Sequence, residues 1–169
     1  DFYTALRRTG AYHGQAFAAL TRIVRTPGGG QERSDSGKSY GAAETEIVLP
    51  DEATAYRGAV LHPVMLDAGL QTLAAAMPAE ILSESSEVTY LPVAMESIRV
   101  FGDVGRRAKC RAELVSIAEG GGDAVGQVTI MDEAGAPIAA VTGVYLRRVQ
   151  RRTVPLPLSR KLFRACWEE

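Results

Sequence analysis

Histidine and cysteine are scarce in this sequence. Two histidines among 169 residues are few for a metal enzyme. The two cysteines, Cys110 and Cys166, lie far apart, so there is no CxxC or other close-spaced metal pattern. Two cysteines also exclude a disulfide framework. Reduced thiols in a cytoplasmic protein are the simplest reading. Neither sign of charge is in excess: 19 Lys+Arg face 20 Asp+Glu, for a net charge of −1. That argues against nucleic-acid or membrane partners recruited by bulk charge. Apolar runs break within about a dozen residues, short of the roughly 20 that a membrane span needs. No basic start followed by an apolar run marks a signal peptide. An initiator Met is missing too, so the chain is expected to begin inside a longer polypeptide.

What is present is an ordinary globular composition, 46% apolar and 23% charged, with length for one domain. Phe2–Arg8 reads as a short helix, with Asp1 as N-cap and Gly10 as stop. Phe17–Arg25 is apolar and β-branched and runs into Thr26-Pro27-Gly28-Gly29-Gly30, a strand entering a turn. Pro27–Gly41, rich in Gly, Ser and charge, is expected to be a mobile loop. Glu44–Leu49 alternates polar and apolar residues and predicts a second strand.

Leu61–Met77 predicts the one long helix. Pro63 suits its first turn and Pro78 follows its end. Leu66, Leu70, Leu73, Ala74 and Met77 form an apolar stripe, and the Ala/Leu content also allows full burial. Beyond it, strands are predicted at Val93–Phe101, Arg106–Ala118, Ala124–Asp132 and Pro137–Arg148, joined by short turns as an antiparallel meander. A sheet with one apolar face must be covered, and one helix is long enough to do it. The expected class is therefore α+β, an antiparallel sheet wrapped around one central helix: the hot-dog fold. Residues 1–149 form this unit. Residues 150–169, with five Arg or Lys and two Pro, read as a linker leaving it.

The segment Leu61-His62-Pro63-Val64-Met65-Leu66-Asp67-Ala68-Gly69-Leu70-Gln71 carries the strongest chemical signal. Asp67 and Gln71 are four apart and share a helix face. At about 100° per residue, Asp67 falls at the edge of the apolar stripe. A carboxyl there is partly desolvated, which favours its protonated form and suits a general acid. The other reading is a first-turn acid interacting with the helix N-terminus. His62, confined to extended backbone before Pro63, reads as part of the turn into the helix. His13 either faces a tunnel or packs at a strand start. Tyr12 and Phe17 fit a core pattern, and Tyr90, Leu91 and Pro92 fit a buried strand start. Cys110 reads as a small buried apolar residue, and Cys166 has no nearby base to make it a nucleophile.

The same segment resembles the HPxLLDAxxQ signature in the C-terminal half of polyketide synthase dehydratase domains. Companions follow in the family's order. His13-Gly14-Gln15-Ala16-Phe17 is similar to the YGPxF element, with His13 in place of Tyr and Gln15 in place of Pro. Tyr90-Leu91-Pro92-Val93 resembles an LP element before a long strand. Asp132-Glu133-Ala134-Gly135-Ala136-Pro137 resembles a DxxGxP hairpin. Leu162-Phe163-Arg164-Ala165-Cys166-Trp167 resembles an LYxxxW element after the domain. The resemblance covers nearly the whole chain.

It implies Asp67 as the catalytic acid, and Gln71, His13, Tyr12, Phe17, Leu91 and Pro92 as substrate-binding residues. It implies removal of water from a β-hydroxyacyl thioester to leave an enoyl thioester. The substrate arrives on the phosphopantetheine of an acyl carrier protein, and no cofactor or metal is bound. The family's catalytic His lies in an HxxxGxxxxP motif of the N-terminal half. Neither His13 nor His62 matches that motif. The implied partners are that N-terminal half and the carrier protein. An apolar face left uncovered would favour a homodimer. Neither nucleic acid nor membrane is expected as a partner. Two alternatives stay open: a non-catalytic acyl-binding or dimerising hot-dog module, and a dehydratase-like double-bond isomerase or cyclase.

Overall fold

The computed structural model of the protein describes residues 2–8, 11, 13–27, 40–53, 59–79, 88–103, 105–118 and 122–150. Their order is α1 (Phe2–Arg8), β1 (Leu20–Pro27), β2 (Gly41–Val48), α2 (Pro63–Ala76), β3 (Val88–Ala94), β4 (Ser97–Val100), β5 (Arg107–Ile117), β6 (Ala124–Met131) and β7 (Pro137–Gln150). The seven strands make one sheet in the order β1-β2-β5-β6-β7-β3, with β4 also on β7. Every pairing is antiparallel. Helix α2 lies on one face of this sheet, which is the hot-dog architecture. No helix among the described residues is long and apolar enough to cross a membrane.

Alternation along the strands builds the covered face. Ala108, Cys110, Ala112 and Leu114 point inward from β5, while Arg107, Lys109 and Arg111 point out. Ala43, Thr45 and Ile47 do the same on β2, and Ala124, Val128 and Ile130 on β6. Small residues let the helix approach closely. A Cβ at Gly69 of α2 would meet Val128 Cγ1 at 2.9 Å. Met65, Ala68, Thr72 and Leu73 fill the remaining contact with the sheet and are fully buried. Buried polar groups are paired there: Thr45 Oγ1 lies 2.7 Å from Thr72 Oγ1, which donates to the Ala68 carbonyl at 2.8 Å. Cys110 joins this pair. Burial pushes its thiol up to about 12, against the two threonine hydrogen bonds, so it is a packing residue.

Three expectations need correction. The predicted strand Phe17–Arg25 begins at Leu20, because Gln15–Phe17 closes a 3₁₀ turn. The predicted strand Val93–Phe101 is two strands, β3 and β4, broken at Met95 and Glu96. Opposite the break, β7 carries one residue more than β6 at Thr142–Gly143, and β3 has its own register shift between Pro92 and Ala94. Gly143 has φ +59°, and Glu96 N–H reaches the carbonyls of Thr142 and Gly143 at 3.1 and 3.2 Å. The bulge resets the alternation, so that Ala139 and Val141 before it and Val144 and Leu146 after it are all buried. Finally, the sheet is a meander only from β5 to β7. β3 crosses to the far edge beside β7, and β2 pairs with β5. The expected loop at 28–39 and linker at 151–169 lie outside the described residues, as do Asp1 and Gly10.

Candidate active site

Helix α2 starts on a fixed anchor. Pro63 occupies its first turn, and His62 before it is extended (φ −61°, ψ 128°). His62 Nδ1 accepts from Val64 N–H at 3.2 Å, and its Nε2–H donates to the Ala53 carbonyl at 2.9 Å. Both ring nitrogens thus serve the turn into the helix, as its position before Pro63 implies.

The helix then presents two faces. One packs on the sheet. The other, carrying Asp67, Leu70, Gln71 and Ala74, borders a cavity of about 170 Å³. The predicted stripe is therefore split: Leu73 goes to the sheet, while Leu70 and Ala74 are half-buried at the cavity. Leu6 of α1 and Leu146 of β7 complete apolar walls, with Thr89, Tyr90, Leu91 and Pro92 of β3 on one side.

Gln71 organises this site. Its Nε2 donates to Asp67 Oδ2 at 2.6 Å and to the Phe17 carbonyl at 2.9 Å. Its Oε1 accepts from the Tyr3 hydroxyl at 2.9 Å. Tyr3 in turn accepts from Leu20 N–H at 2.9 Å. Gln71 is 3% exposed, so this buried amide has all three of its partners within the protein. Burial raises the Tyr3 hydroxyl above the ordinary tyrosine range; the Leu20 N–H opposes this and the charge of Asp67 adds to it. The hydroxyl therefore remains a donor at neutral pH.

His13 approaches from the segment after α1. Its Nε2 is 3.9 Å from Asp67 Oδ2, and its ring meets that of Tyr3 edge-on at 6.2 Å between centroids. The side chains of His13 and Asp67 are 19% and 33% exposed, so both remain reachable from the cavity. His13 Nδ1 is buried and has no hydrogen-bond partner among the described residues. Tyr90 hydroxyl donates to the Gly122 carbonyl at 3.0 Å, and burial raises it above the usual tyrosine range, with Arg148 opposing and Asp123 adding.

The structure thus brings Asp67, Gln71, His13, Leu91 and Pro92 to one cavity. Phe17 is not on its wall; its ring packs against the core and its carbonyl serves Gln71. Tyr12 lies outside the described residues. Tyr3 and Leu6 had no signal in the sequence beyond the apolar spacing of a short helix. Among the described residues, no group of three or more His, Cys, Asp or Glu is placed to hold a metal ion.

Comparison with known proteins points the same way. A family model described as "Polyketide synthase dehydratase N-terminal domain" matches residues 1–155. A phenolphthiocerol/phthiocerol polyketide synthase polypeptide of Mycobacterium tuberculosis is 49% identical over 169 residues, covering 100% of this chain and 8% of the relative. A second polypeptide of that synthase, from the same organism, is 30% identical over 178 residues, covering 99% of this chain and 7% of the relative. The dehydratase domain of PpsC from Mycobacterium tuberculosis, solved in complex with C12:1-CoA, shares 30% identity at a TM-score of 0.71. That match covers 88% of this chain and 50% of the PpsC chain. The dehydratase domain from the CurJ module of the curacin synthase shares the fold, with a TM-score of 0.68 at 16% identity, over 88% of this chain and 48% of that one. The chain therefore spans a small part of the synthases and about half of the solved dehydratase domains. On the match over residues 1–155 and the identity over its full length, the chain belongs to the polyketide synthase dehydratase family.

Proposed function

We propose that this chain is the C-terminal hot-dog half of a dehydratase that removes water from a β-hydroxyacyl thioester on an acyl carrier protein. The observation that carries the reading is Asp67, held by Gln71 on the rim of an apolar cavity. Asp67 gives its proton to the β-hydroxyl as the C–O bond breaks, and water leaves. A base takes the α-proton, and its electron pair becomes the new double bond. The family's base is a His in an HxxxGxxxxP motif that this chain lacks. The partner half supplies it.

Three observations support a half-site. The matched dehydratase domains are about twice as long as this chain. The cavity of about 170 Å³ is smaller than the roughly 300 Å³ at which ligand pockets begin. Val93, Ile98 and Phe101, on β3, on β4 and just after it, are 47–59% exposed, apolar surface that a second unit would cover. The matched family model bears an N-terminal description. The LDAGLQ helix supports the C-terminal assignment instead. Gln71 and His13, with Leu91 and Pro92, form the substrate-facing wall. Phosphopantetheine enters as part of the substrate, and no resident cofactor is needed.

The test is an assay of β-hydroxyacyl-thioester dehydration by the complete polypeptide, by its Asp67→Asn variant, and by residues 1–169 alone. The complete polypeptide should turn over and the other two should not. An HxxxGxxxxP motif should lie in the polypeptide upstream of Asp1. Turnover by Asp67→Asn, or robust turnover by residues 1–169 alone, would remove the reading. A product with a moved double bond would favour an isomerase instead.

A further inference from the structure

We infer that Tyr3 is a positioning residue of the dehydration site, acting on Asp67 through Gln71. Tyr3 does not border the cavity; Gln71 stands between its hydroxyl and Asp67. Its hydroxyl oxygen receives the Leu20 N–H at 2.9 Å, which leaves its proton for Gln71 Oε1, also at 2.9 Å. That bond assigns the two ends of the carboxamide. The oxygen faces Tyr3, and the nitrogen faces Asp67 Oδ2 and the Phe17 carbonyl. Reversing the amide would set its oxygen against two other acceptors. The two acceptors fix which end of the amide meets Asp67, and Tyr3 steadies that orientation by donating to the oxygen end. Leu20 lies on β1, so the first strand, the first helix and α2 are tied to the acid by one chain of hydrogen bonds. The titratable groups facing Tyr3 are Asp67 of α2 and His13 after α1.

This inference rests on the reading of Asp67 as the acid, so the experiment separates the two. In the complete polypeptide, Asp67→Asn tests the acid. Tyr3→Phe, Gln71→Leu and their combination form a cycle that tests the relay. Tyr3→Phe should lower kcat about tenfold, in keeping with the sensitivity of rates to small misplacements. KM should stay within about twofold, since Tyr3 does not border the cavity. In the Gln71→Leu background, Tyr3→Phe should have no further effect on kcat. Replacement of Tyr3 by 3-fluorotyrosine keeps the fold and strengthens the donor. It should change kcat with KM within about twofold, lose that effect in the Gln71→Leu background, and it carries the test if Tyr3→Phe does not fold. An unchanged kcat in both variants, or a full and independent loss in the Gln71→Leu background, overturns the inference while an inactive Asp67→Asn leaves the acid in place.

Discussion

Gln71 stands one helical turn beyond Asp67, and its Nε2 donates to Asp67 Oδ2 at 2.6 Å while the same nitrogen donates to the carbonyl of Phe17. The pair is local in sequence, but what holds it comes from elsewhere: Tyr3 is 68 positions from Gln71 and Phe17 is 54. Replacing Gln71 with Leu keeps a side chain of similar bulk, one atom shorter, and removes every one of these bonds. The Tyr3 hydroxyl, the Phe17 carbonyl and Asp67 all lose a partner in a buried place. We expect a loss of about 1–3 kcal/mol in stability, the range for stranding buried polar groups. On the proposal that Asp67 is the acid, dehydration should fall more than tenfold as its carboxyl loses its fixed position. Urea unfolding and steady-state kinetics on the complete domain check the two effects separately. Full activity in Gln71→Leu would show that Asp67 is positioned without it.

Arg25 closes the other end of the same helix. Its Nε donates to the Ala75 carbonyl at 2.7 Å, and its Nη2 donates to the Met77 carbonyl. These acceptors belong to the last turn of α2, where carbonyls lack partners along the helix and a cation is favoured. A side chain on β1 thus fixes how α2 seats on the sheet. Arg25→Ala should lower stability by about 1–2 kcal/mol, read as a shift in the denaturant midpoint without a change in slope. Arg25→Lys should restore only part, since one ammonium cannot reproduce the two-point geometry. A midpoint equal to that of the unaltered protein in Arg25→Ala would rule out the cap.

On the outer face of the sheet, Glu113 accepts from Arg111 Nε at 2.7 Å and from Gln127 Nε2 at 3.1 Å, its cross-strand partner on β6. Burial alone would raise its carboxyl. The hydrogen bonds from Arg111 and Gln127 and the charge of Arg111 together bring it below the usual glutamate range. A carboxyl with a lowered folded-state value adds stability above its unfolded value, roughly 4.3. That contribution is lost as pH falls through the lower folded value. The pair is partly exposed and screened, so less than about 1 kcal/mol is at stake. Glu113→Gln should be slightly less stable than the unaltered protein near neutral pH and equal to it in acid. Parallel stability–pH curves for the two proteins would count against the network.

The sequence carries local information well and long-range information poorly here. α1, α2 and strands β5 to β7 follow from periodicity and turn residues, because each is decided by neighbours in the chain. The Asp67–Gln71 pair is visible for the same reason: i,i+4 spacing is a helix property. The division of Val93–Phe101 into two strands is not visible, because it goes with a bulge at Thr142–Gly143 on another strand, β7. Tyr3 is equally silent, since a tyrosine in a short helix has no mark of the glutamine it will meet. Phe17 shows a subtler limit. Its type suggests a role for the ring, but the site uses its carbonyl, which any residue would supply.

Gly126 offers the sharpest test of the packing beneath the site. It lies on β6 directly under α2, and a Cβ there would overlap both methyl groups of Leu73 and sit 3.0 Å from the Glu113 carbonyl. Leu73 is fully buried, so both methyl groups sit within the packed core. The neighbouring backbone carbonyl blocks the other way out. Gly126→Ala should therefore lift α2 from the sheet and destabilise the domain by about 1–3 kcal/mol, the usual cost of overpacking a filled core. Leu73→Ala alone should also destabilise, by about 2–5 kcal/mol, through the cavity it leaves. Combining the two should recover part of the loss, because the new methyl enters the space that Leu73 vacates. The recovery is measurable as a non-additive midpoint in urea unfolding. Strict additivity would mean that Gly126 is required for strand conformation and not for the approach of the helix.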